Sequence, residues 1–416
     1  MKILIKSATI VLPDSKYHQQ TVDILLQNGK IEKIEKNISA EVDQTIEMKN
    51  LHVSLGWFDS SICFGEPGYE ERETLTNGLK TAAKSGFTSI AVNPNSNPIA
   101  DHSTSIKFLK SHHTQFGVGV YPVGALTVKS ESVDLAELFD MKNAGAVSFS
   151  DYKKPIENPN LLKIALQYAQ NFDALIQSFP QENAIARNGC AHEDFHSTQL
   201  GLKGIPALAE ELQIARDLFI LEYTGGKLHI PTISTEKSVQ LIKEAKKKGL
   251  DVSCSVAIHQ LIFTDEKLQG FNANYKVLPP LRSSKDAKAL IKGLKDGIID
   301  MVTTDHCPID IEDKKVEFVN AAYGTIGLET AFAALKTIFS TEKTIDLLTK
   351  GRARFGIENP KFEKGEIANL TLFNPDYKYT FNEENIISTS KNSMFIDSKI
   401  NGKVYGIYAN HKLTLA

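Results

Sequence analysis

The chain has 416 residues, 42% of them hydrophobic and 23% charged, with a formal net charge of −3. That length can bury a large core, enough for a barrel and a smaller second domain. The small net charge gives no electrostatic reason to expect nucleic acid or an anionic membrane as a partner, and no apolar run approaches the ~20 residues of a spanning helix.

The opening MKILIKSATIVLPD has an apolar run broken by Lys6, Ser7 and Thr9, so it reads as a strand and not as a signal peptide. Residues 1 to 52 continue as short strands, and Asn28-Gly29 between DILLQ and KIEKI is a hairpin-turn signal. The C-terminal segments Ile367 to Phe373 and Gly402 to Tyr408 are again strand-like. Strands at both ends need a shared sheet to cover their apolar faces. Residues 1–52 with 356–416 are therefore expected to form one small β-sandwich.

Residues 53–355 alternate between strand and helix patterns. The strand candidates are Val53–Phe58, Thr88–Val92, Gly117–Val123, Ala146–Phe149, Ala174–Ser178, Lys227–Ile230, Asp251–Val256 and Met301–Thr304. Helical periodicity separates them, as at Leu161, Ala165, Tyr168, Ala169 and Phe172. Gly86 and Gly249 follow helical stretches, where a left-handed cap is expected. Eight such units predict an α/β fold, a (β/α)8 TIM-type barrel, with working groups at the C-terminal strand ends. An open doubly wound sheet lacks support because there is no glycine-rich phosphate loop.

Several strand ends carry specific motifs. The first runs into Asp59-Ser60-Ser61-Ile62-Cys63-Phe64-Gly65-Glu66-Pro67-Gly68, and the last into Thr303-Thr304-Asp305-His306-Cys307-Pro308. Others are Asn93-Pro94-Asn95, Ser148-Phe149-Ser150-Asp151, Leu200-Gly201-Leu202-Lys203-Gly204, Pro279-Pro280-Leu281-Arg282 and Gly327-Leu328-Glu329-Thr330. Together they resemble the dihydroorotase family of metal-dependent amidohydrolases, over nearly the whole chain.

The resemblance implies a zinc site, and the sequence departs from it. Where the family has Asp-x-His-x-His-x-Arg, this chain has Asp59, Ser61, Cys63 and Gly65. Phe179 and Thr232 stand at two further histidine positions, and Leu278 and Ile309 at substrate-binding positions. Asp305 remains at the position of the family's general base and metal ligand, Asp151 at that of its bridging carboxylate, and Asn95 at a substrate-binding position. No metal is expected; a residual site would have to use Cys63, Asp151 and Asp305, since catalytic zinc takes three protein ligands.

Without a metal, water keeps a pKa near ~15.7 instead of ~7. General-base help from Asp305 contributes only about 10²–10⁴-fold. Two other strings are weighed and set aside. His192-Glu193-Asp194-Phe195-His196 satisfies the zinc-protease pattern, but that pattern works only on one helix face, and here it follows Asn188-Gly189 in a loop. Asp305-His306-Cys307 cannot converge as a triad because adjacent strand residues face opposite ways.

The expectation is a dihydroorotase-like protein of pyrimidine biosynthesis, inactive and retained as a scaffold. The resemblance implies aspartate transcarbamoylase as its partner, in a homo- or hetero-oligomer. The alternative is an active cyclic-amide hydrolase with the reduced site. Cys63, Cys190, Cys254 and Cys307 lack paired spacing, which suits free thiols in the cytoplasm.

Overall fold

The computed structural model describes all 416 residues. Eight parallel strands lie in strict chain order in one sheet: β1 (Trp57–Ile62), β2 (Phe87–Val92), β3 (Gly119–Gly124), β4 (Ser148–Phe149), β5 (Leu175–Gln177), β6 (Lys227–Ile230), β7 (Val252–Ala257) and β8 (Met301–Thr303). A parallel bridge between Ile62 and His306 brings the last strand back to the first, and Cys63 N donates to His306 O at 2.8 Å. This is the expected TIM-type barrel.

Local chemistry starts and stops the intervening helices. Thr74 accepts from Asn77 N and caps the helix Leu75–Lys84, which Gly86 ends at φ +95°, a conformation open to glycine at little cost. Asn158 caps Pro159–Ala169, with proline in the first turn where a missing N–H costs nothing. The inward faces of these helices pack on Trp57, Phe149, Ile176, Leu228 and Val256. A separate cluster of Phe58, Ala91, Val123, Leu175 and Met301, with Phe355 and Ile357, fills the N-terminal end of the barrel.

The chain termini share one eight-stranded sheet. The strand Lys2–Ile10 pairs Gln44–Ile46 along its first half and His52–Leu55 along its second, so the sheet divides into two layers there. Ile3, Ile5, Ile24, Leu26, Val53, Leu370 and Leu372 are buried between them, as expected for a sandwich built from both ends. Asn28 (φ 50°) and Gly29 (φ 81°) form the hairpin turn.

One expected strand is corrected. Val53–Phe58 is two strands: His52–Leu55 pairs Leu370–Phe373 in the terminal sheet, while Trp57 opens the barrel. The break falls at Gly56, where a Cβ would meet Asn369 Oδ1 at 2.0 Å and Thr88 Oγ1 at 2.1 Å. The absence of a side chain lets the two sheets approach at that point.

Candidate functional site at the barrel mouth

The C-terminal ends of the strands converge on a cavity of about 10 Å³ lined by Ser61, Asn93, Lys153, Phe179, Thr232 and Asp305, among others. That is roughly the space of one water. Asp305 leaves β8 in the left-handed region at φ 50° and is 2% exposed. Its Oδ2 accepts from Lys153 Nζ at 2.9 Å, and Ser61 Oγ lies 3.5 Å from Oδ1. Burial alone would lower the Lys153 pKa, but Asp305 against it raises it above the usual lysine value. The buried carboxylate therefore already has a cation.

The other carboxylates are also occupied. Asp151 Oδ1 accepts from Leu126 N and Thr127 N, both at 2.9 Å, and its Oδ2 accepts from Thr127 Oγ1. These bonds hold the loop after β3 against the loop after β4. Asp59 accepts from Ser61 N at 3.0 Å, Thr304 N at 2.9 Å and Thr303 Oγ1, tying β1 to β8.

Cys63 lies in an apolar cluster with Cys307 and Ile309, backed by Tyr152. Burial pushes its thiol pKa up, while its hydrogen bond to Cys307, helped by the Lys153 charge, holds the Cys307 thiol down. Cys63, Asp151 and Asp305, expected as the only residual metal site, are not brought together as one. The single group of three His, Cys, Asp or Glu donors that gathers within 4.8 Å is His192, Asp194 and Asp265. By this donor geometry the barrel mouth does not fit a zinc ion.

Other residues at the mouth fill space. Phe179 is 2% exposed and packs with Leu278, Ile205 and Ala209. Gly65 cannot carry a longer side chain in this loop, because its Cβ would meet Tyr69 O at 1.7 Å. Asn95 is half-buried and does not line the cavity; Asn93 does, and donates to Ser61 Oγ at 3.0 Å. His306 turns away from the cavity, its Nδ1 accepting from Gly327 N at 3.2 Å, so Asp305, His306 and Cys307 do not converge. Lys153 is the residue that sequence reasoning missed. A lysine just past a strand end that faces a carboxylate was the available signal.

The fold and site can now be set beside known proteins. The L-hydantoinase (dihydropyrimidinase) of Arthrobacter aurescens superposes with a TM-score of 0.85 at 21% identity, covering 99% of this chain and 95% of that one. The D-hydantoinase of a Thermus species gives 0.81 at 19%, covering 99% and 95%. The likeness shows the fold: a (β/α)8 barrel with a terminal β-sandwich.

The sequence is more specific. Residues 51–238 match the Dihydro-orotase-like family. The dihydroorotase of Pelotomaculum thermopropionicum is 39% identical over 402 residues, covering 95% of this chain and 94% of that protein. The dihydroorotase of Acetivibrio thermocellus is 37% identical over 416 residues, covering 98% and 97%. The chain belongs to the dihydroorotase family.

Proposed function

We propose that this chain is a dihydroorotase-family member that has lost the family's metal chemistry and acts in pyrimidine biosynthesis as a structural partner, with aspartate transcarbamoylase as the subunit it supports. The observation carrying this reading is the Lys153–Asp305 pair, 2.9 Å apart in a cavity of about 10 Å³. A general base must be free to take a proton from water. Here that base is bonded to an ammonium, and Phe179 and Leu278 occupy neighbouring space. Ser61, Cys63, Phe179 and Thr232 stand where the family resemblance puts imidazoles, and together they offer one thiol.

Asp305 is on this reading a vestige of the general base, and Asn95 of a substrate contact. No helix is long and apolar enough to cross a membrane, and the four free thiols support a cytoplasmic setting. Size-exclusion chromatography of the chain with the aspartate transcarbamoylase of the same organism tests the partner. A defined larger particle is expected; separate elution at micromolar concentration would sink it.

Full-length identity to dihydroorotases supports a second reading, an active hydrolase interconverting dihydroorotate and N-carbamoyl-aspartate. Turnover in either direction that disappears in Asp305→Asn would establish it and displace the first.

A further inference from the structure

The loop after β5 carries a second gathering of donors. Its residues Ala191–His192 pair with Gly204–Ile205 in a two-stranded parallel sheet, and Asp194 caps the short helix Phe195–Leu200. The turn Asp265–Gly270, from the loop after β7, packs against that helix. One donor atom from each of His192, Asp194 and Asp265 lies within 4.8 Å of the others, and His192 Nε2 is 3.8 Å from Asp194 Oδ2.

A second observation points to a missing ligand. Asp265 is 4% exposed, yet its Oδ2 has no hydrogen-bond partner. Buried carboxylate oxygens without a partner are rare. His196 Nδ1, in the helix that Asp194 caps, is also buried and unbonded. We propose that His192, Asp194 and Asp265 form a divalent-metal site of the zinc class, which staples the loop after β5 to the loop after β7.

One imidazole and two carboxylates are a zinc donor set, and three protein ligands leave a position for water. An ion about 2.0–2.2 Å from each donor sets the donors about 3–4 Å apart, a spacing His192 and Asp194 already have.

Arg282 Nη1 lies 3.0 Å from His192 Nδ1 and donates to it, which places the ring proton on Nε2. Ligation through Nε2 moves that proton to Nδ1, so the one bond from Nη1 to the ring is lost. Arg282 keeps Ile205 O and Ser234 Oγ as acceptors. None of the three ligands lines the cavity at Asp305, so this site is independent of the barrel mouth. It also differs from the zinc-protease arrangement, because His192 is on a strand and His196 on a helix.

The test is equilibrium dialysis of chelator-stripped protein against zinc, with metal analysis and thermal melts. One equivalent of zinc and a raised Tm are expected. Asp265→Asn and Asp194→Asn should each weaken binding about tenfold or more, since loss of a mere supporting bond costs about 10–100-fold. Asp194 is exposed and asparagine preserves its helix cap, so loss of binding there does not reflect misfolding. Asp305→Asn should bind normally. Absence of saturable uptake at submillimolar zinc overturns the proposal, as does uptake that survives both substitutions or vanishes in Asp305→Asn.

Discussion

The two ends of the barrel each bury a cation, and they accommodate it differently. At the C-terminal mouth Lys153 is paired with a carboxylate, Asp305. At the N-terminal end Arg352, 2% exposed, has no carboxylate. Its Nη1 donates to Ser89 Oγ, and its Nη2 to Gly56 O, Trp57 O and Thr88 Oγ1. Burial lowers its pKa to about 10, which still leaves it charged. The arginine joins the terminal sheet, through Gly56, to the first two barrel strands. The lysine pair joins two loops at the barrel mouth. The difference separates a cation held by carbonyls and hydroxyls between two sheets from one held by a carboxylate at the mouth.

Substitutions break this contrast in order of size. Arg352→Ala empties a buried volume and takes away the donor that Gly56 O and Ser89 Oγ accept from, at an expected cost of about 3–5 kcal/mol. The urea midpoint should fall with the slope unchanged; a loss under about 1 kcal/mol would remove the architectural role.

Lys153→Met strands a buried carboxylate, which can respond by taking up a proton, so about 1–3 kcal/mol is expected. The double variant Lys153→Met/Asp305→Leu should be more stable than that single variant, because well-packed apolar groups replace buried ion pairs at little cost. A double variant worse than the sum of the singles would show that the pair is structurally required.

The third probe is a pH slope. Burial pushes Lys314 down to about 7, below the ~10.4 of an unfolded lysine. Between about pH 7 and about pH 10 the unfolded chain therefore binds the extra proton, and stability rises with pH. Below that window the full cost of burying the charge is present. Lys314→Met removes this slope, worth up to about 1.4 kcal/mol per pH unit, so variant minus wild-type stability should fall as pH rises. A difference independent of pH would mean that Lys314 stays charged.

Much of this was legible from residue order because barrel strands are continuous apolar runs between punctuated helices. All eight predicted segments overlap β1 to β8. The mistake at Val53–Phe58 has a physical origin: two strands of different sheets follow each other without a polar break, and only close approach to Asn369 and Thr88 distinguishes Gly56. Ser61, Cys63, Phe179 and Thr232 could be placed at the mouth from the strand-end motifs, and they line it or lie beside it. The Lys153–Asp305 bond could not be, because it joins residues 152 apart through loop conformations that no periodicity encodes. The His192–Asp194–Asp265 gathering was hidden for the same reason.

The terminal sheet has a consequence for synthesis on the ribosome. The strand His52–Leu55 is made well before its partner Leu370–Phe373, about 315 residues further along the chain. At about 5–20 residues per second that apolar half-layer waits tens of seconds for its cover. Truncation before residue 370 is expected to leave an open β-edge prone to aggregation.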